Sequence, residues 1–176
     1  MDTKQEVKMR TIRVVVFSII ILLVASCSGG YSFTGASVNA QTKTFHVENF
    51  VNRASTVQPI LSSELTYALI NKIRSGTSLK ETSDEADAVF SGTITSYRVT
   101  PTAITSTDQA SKNRLSITIK VKYTNRTDSK SNFEQTFTRY KDYDATLSLS
   151  SVEESLIKEI NEELVDDIFT KAFVNW

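Results

Sequence analysis

The chain carries one cysteine, Cys27, and one histidine, His46, in 176 residues. That scarcity excludes a good deal of chemistry. A disulfide framework needs paired cysteines, and a zinc site needs His, Cys or carboxylate ligands at set spacing. A serine hydrolase needs a base. No G-x-S-x-G elbow accompanies His46, which alternates with Phe45 and Val47 as a strand-surface residue does. The five glycines form no loop able to cradle a phosphate. Carboxylate pairs can hydrolyse glycosides, but the acid of the pair needs a crowded cleft to raise its pKa. The main acidic cluster here lies on the outward side of an amphipathic pattern. The expectation is a protein that is not an enzyme and uses no cofactor and no metal.

A long apolar run is missing as well. The longest, Val14 to Val24, is broken only by Ser18 and is too short to span a bilayer core. Lys4, Lys8, Arg10 and Arg13 precede it, and Val24-Ala25-Ser26-Cys27 follows. Charge, apolar core and small residues in that order are the layout of a secretory signal. A cysteine at the cleavage position makes it a bacterial lipoprotein signal covering residues 1–26. The Cys27 thiol is then diacylated and its new amine acylated. Each buried methylene contributes about 0.8 kcal/mol and stable anchoring takes two chains, so three hold firmly.

Net charge is also absent. Removing residues 1–26 takes four basic and two acidic residues, leaving sixteen basic against eighteen acidic, a net charge of −2. A nucleic-acid binder would carry a basic footprint, so none is expected. The charges are nevertheless segregated. Lys112, Arg114, Lys120, Lys122, Arg126 and Lys130 face only Asp128 within 112–130. Seven carboxylates, from Glu153 to Asp167, face only Lys158 within 153–167.

What is present is clear periodicity. Residues 27–42 read as a lipidated tether rich in Ser, Gly, Thr and Asn, with Tyr31 and Phe33 as anchors, and 43–176 read as a single domain. Phe45 to Glu48 predicts a short strand. Pro59 fits the first turn of a helix whose apolar face is Ile60, Leu61, Leu65, Ala68, Leu69 and Ile73, closed by Ser75-Gly76. A short extended piece is expected at Ser78 to Lys80. Val89 to Val99 predicts a strand with a bulge near Gly92, ended by Thr100-Pro101, and Thr102 to Asn113 predicts a polar loop.

Leu115, Ile117, Ile119, Val121 and Tyr123 alternate with polar residues, a half-buried strand with Lys120 and Lys122 on its outer side. Phe133 to Arg139 predicts the return strand, with the phase breaking at Tyr140 to Tyr143. Ser150 or Ser151, with Glu153 or Glu154, predicts a capping box for a last helix buried through Val152, Leu156, Ile160, Leu164 and Ile168. The fold class expected is α+β: two amphipathic helices on one face of a mostly antiparallel, mixed sheet of about four strands.

Several stretches resemble the LptE family of lipopolysaccharide-assembly lipoproteins. They are Cys27 with Tyr31 to Ser37, Asn52-Arg53-Ala54, Arg114 to Val121, Arg139-Tyr140-Lys141-Asp142-Tyr143, and the tail from Asp167 to Trp176. The resemblance implies a protein on the inner leaflet of the outer membrane, facing the periplasm. It implies a large β-barrel partner of the LptD type, plugged and helped to fold, and contact with lipopolysaccharide during its insertion into the outer leaflet. Ser28 after the acylated cysteine resembles lipoproteins sorted to the outer membrane. The polar strand face and the 100–113 loop are the expected barrel-inserted region. Lys112, Arg114, Lys120, Lys122 and Arg126 are the expected contacts to lipopolysaccharide or to the partner, chosen for charge clustering. An alternative is a tethered regulator of an envelope enzyme such as a peptidoglycan synthase. Its reach is short, since about fourteen tether residues extend only about 50 Å.

Overall fold

The computed structural model describes residues 38–174 except 57 and 105–109. The signal peptide, Cys27, most of the tether, the tip of the 102–113 loop and Trp176 lie outside the described residues.

Elements follow in the order β1 (Thr44–Val47), β2 (Val51–Asn52), α1 (Pro59–Gly76), β3 (Lys80–Glu81), β4 (Ala88–Ile104), β5 (Ala110–Asn125), β6 (Phe133–Asp144) and α2 (Leu149–Phe173). They build one mixed sheet of six strands in the order β3-β1-β4-β5-β6, with β2 pairing β4 further along the edge that β1 occupies. The long β4–β5–β6 meander is antiparallel, while β1, β2 and β3 join in parallel. The expected four strands become six because β2 and β3, two residues each, are too short to show a period.

Both helices cover one face. On α1, Leu61, Leu65, Leu69 and Ile73 are fully buried, each contributing roughly 1.5–3 kcal/mol. Ile60, expected among them, is largely exposed because it lies on the solvent side of the first turn. Pro59 opens the helix, where its missing N–H costs nothing. On α2, Leu156, Ile157, Ile160, Leu164, Val165, Ile168, Phe169 and Phe173 are buried. The helix starts earlier than the capping box suggested. Ser148 is its N-cap and makes no side-chain cap bond, and Ser151 instead donates to the Ser148 carbonyl at 2.7 Å.

The anticipated bulge is displaced. Ile94 pairs with Ile119 and Ser96 with Thr118, so Thr95 is the extra residue. It shifts the inward set from Ala88, Phe90, Gly92 and Ile94 to Tyr97, and that shift is what spoils the alternation of β4. Gly92 has another task. A Cβ there would sit 2.3 Å from Cε1 of the buried Phe50, so the ring packs directly on bare backbone.

Pro101 does not end β4, which runs on to Ile104 through two further register shifts beyond it. The strands therefore occupy much of the expected 102–113 loop. Nor does β6 lose phase. Phe133, Phe137, Arg139, Lys141 and Tyr143 all share the helix-facing side, opposite Tyr123, Ile119, Ile117, Leu115 and Asn113 of β5.

Candidate functional site

Among the described residues, the helices leave the other face of the sheet uncovered. β5 sits at the centre of β4–β5–β6, and its even-numbered residues point away from the core. Ser116 and Thr118 are flanked by Arg98 and Ser96 on β4 and by Tyr140 and Thr138 on β6. Thr118 and Thr138 share a hydroxyl–hydroxyl bond of 3.0 Å. Val89 is the one aliphatic side chain that β4–β6 add to this face among the residues whose side chains are described. The result is a broad hydroxyl-rich surface with charges toward its ends.

The five basic residues singled out by charge do not form one cluster. Arg114 grips Asp142 through two bonds, 2.7 Å from Nε and 2.9 Å from Nη2, and its guanidinium lies 3.7 Å from the Tyr140 ring centre. Hydrogen bonding in that fork raises the Arg114 pKa and lowers that of Asp142. Lys120 pairs with Glu134, whose pKa falls through that hydrogen bond.

Arg126 lies past the end of β5. It donates to the Glu85 carbonyl at 2.8 Å and to Asp87 at 3.2 Å. Asp87 also accepts from the backbone N–H groups of Lys43 and Thr44, which, together with Arg126, hold its pKa at about 2. This node ties the starts of β1 and β4 to the end of β5.

Lys112 and Lys122 alone of the five are unpaired with a carboxylate among the described residues. Ten residues of extended strand set them roughly 33 Å apart.

Charge counting along the chain missed the partners. Glu134 and Asp142 become neighbours of β5 only through the register of β6. It also missed Arg139 and Lys141, which turn toward the helix layer. Arg139 bonds Asp167 at 2.7 and 2.6 Å, and Lys141 reaches Glu163 at 2.8 Å and Glu159 at 3.3 Å. The acidic side of α2 thus meets the edge strand, not the basic strand. Tyr97, buried, donates to Glu153, just past the first turn of α2; desolvation and that carboxylate push its pKa well above the usual value. No cluster of three or more metal-ligating side chains occurs among the described residues, and no described helix is long and apolar enough to cross a membrane.

One helix-covered apolar face and one polar face, uncovered among the described residues, define a two-layer α+β domain. The LptE family model, described as lipopolysaccharide-assembly, matches residues 42–172, and the chain belongs to that family of lipopolysaccharide-assembly lipoproteins. No curated protein matches it by sequence.

Among solved structures, the chain is similar to a hypothetical protein of Chlamydia trachomatis at 10% identity and TM-score 0.54, covering 76% of this chain and 99% of that one. It is similar to rare lipoprotein B of Shewanella oneidensis at 16% identity and TM-score 0.51, covering 71% and 91%. A Xanthomonas campestris protein follows at 11% identity and TM-score 0.50, covering 77% and 91%. At these identities the likeness is one of fold.

Proposed function

We propose that the chain is an outer-membrane lipoprotein, acylated at Cys27 and facing the periplasm. It sits inside a large β-barrel translocon of the LptD type, assists that barrel's assembly and helps lipopolysaccharide pass to the outer leaflet. The observation that carries this reading is the bare, hydroxyl-rich sheet face in a chain of this family. A water-filled lumen is lined by polar side chains, and a plug meeting them needs a polar face of its own. Ser, Thr and paired charges on β4–β6 supply one. Lys112 and Lys122 are the first candidates to meet lipid phosphates, since neither is held by a carboxylate among the described residues. Arg114, Lys120 and Arg126 would have to exchange one partner for another.

The test is a photo-crosslinking residue at Thr118 on the sheet face, with Ser155 on the helix layer as the comparison, in cells making the full lipoprotein. Thr118 capturing a large barrel protein supports the reading. Capture only from Ser155, or from neither position, overturns it. Lipidation is tested separately. Processing that persists unchanged under an inhibitor of the lipoprotein signal peptidase would remove Cys27 from the account.

A further inference from the structure

α1 and α2 run in the same direction. Residues 64–71 of one lie beside 154–162 of the other, Lys72 meets Asp166 at 2.5 Å, and Gly76 packs on Phe169. Between them, on the side away from the sheet, opens a groove of about 270 Å³. Its floor contains Asn161, only 3% exposed, whose Oδ1 is buried without a hydrogen-bond partner. A buried amide oxygen left unpaired is costly and uncommon in a folded protein.

The walls are unusual too. Asp166, Asp167, Glu159 and Glu163 of α2 are all paired with cations from other elements. Among the described residues, Glu64, Glu154 and Glu162, which line the groove, are in no ion pair, and Lys158 is the single cation beside them. Tyr67 stands at the rim, 65% exposed.

We propose that this groove is a docking site for an arginine side chain presented by a partner protein. A guanidinium answers each feature at once. Its N–H fork supplies the donor that Asn161 Oδ1 lacks, its charge offsets the net negative wall, and its plane stacks on an exposed aromatic ring such as Tyr67. A lysine ammonium meets the charge but offers no planar fork. A neutral apolar side chain would leave the amide oxygen orphaned. The site lies on the opposite layer from the bare sheet face and does not rest on the barrel reading, so a failed crosslink from Thr118 leaves it standing.

The experiment titrates the isotope-labelled, lipidated full chain in neutral detergent with N-acetyl-arginine methylamide. A parallel titration uses N-acetyl-citrulline methylamide, which keeps the shape and lacks the charge. Arginine should give saturable shifts at the Asn161 side-chain amide and at Tyr67, with citrulline binding about tenfold weaker or less. The double change Glu64→Gln with Glu162→Gln, at partly or fully exposed positions outside the core, should weaken arginine binding about tenfold, and Asn161→Ala should weaken it as well. No saturable shift, an equal response to both probes, or undiminished binding by the Glu64→Gln/Glu162→Gln chain would overturn the proposal.

Discussion

Replacing Asn161 by alanine should make the domain more stable. Asn161 sits in the middle of α2, almost fully buried, with its amide oxygen unpaired. An unsatisfied buried polar group costs about 1–3 kcal/mol. Alanine is also the better helix former, by roughly 0.5 kcal/mol at an interior position. Against these stands the packing lost with the side chain, about 1 kcal/mol, which is modest because the site borders an open groove and no sealed cavity is made. The balance favours alanine by about 1–2 kcal/mol. For a domain of this size each kcal/mol moves the midpoint by about 2–4 °C, so thermal unfolding should shift upward by about 2–8 °C. Circular dichroism at the helix band is the assay. An unchanged or lowered midpoint would mean that the amide is already satisfied, and the case for an orphaned acceptor would fail. A gain in stability joined to a loss of arginine affinity would mark Asn161 as kept for recognition at some expense in stability.

Three further outcomes follow from the packing. Gly92→Ala places a methyl 2.3 Å from Phe50 Cε1 and 3.0 Å from the Lys120 carbonyl oxygen, and should destabilise by about 1–3 kcal/mol in chemical denaturation, with partial recovery in the double variant Phe50→Leu. Asp87, with its folded pKa depressed to about 2 from the ordinary 3.8, contributes stability above that ordinary value and loses it as pH falls between the two. Acid unfolding monitored over that interval should therefore flatten in Asp87→Asn, and an identical acid limb in both chains would refute the node. Arg139 and Lys141 place charge on the inward side of the edge strand β6, a feature that discourages edge-to-edge pairing. Changing both to valine should raise light scattering and self-association at fixed concentration, and a chain that stays monomeric would show that the edge needs no such guard.

The parts of this molecule legible along the chain are those whose two sides differ chemically. β5 alternates Leu115 to Tyr123 against Ser, Thr and Lys because one side meets the helices and the other meets none. The helices announced themselves through four-residue spacing for the same reason. Where a single residue resets the phase, as Thr95 does, alternation fails a few positions away from its cause and points to the wrong site. The inward turn of Arg139 and Lys141 left no mark along the chain because the carboxylates that receive them arrive from α2, 28 residues on for Arg139 and Asp167. The basic surface was visible as a count of charges. That Arg114 and Lys120 are already occupied was invisible, since strand register decides it.

The length of the central hairpin sets a reach. The chain enters the domain at Thr42, which bonds Asn125 and Thr127 at the far end of β5. Ala110, the first residue of β5, lies at the opposite end of a strand of 16 residues. At roughly 3.4 Å per residue, that places Ala110 about 50 Å from the point of entry. A bilayer with its headgroups measures about 40–45 Å. A single strand of this kind matches a membrane in thickness, so the two ends of β5 are tied together as the ends of one stiff ruler.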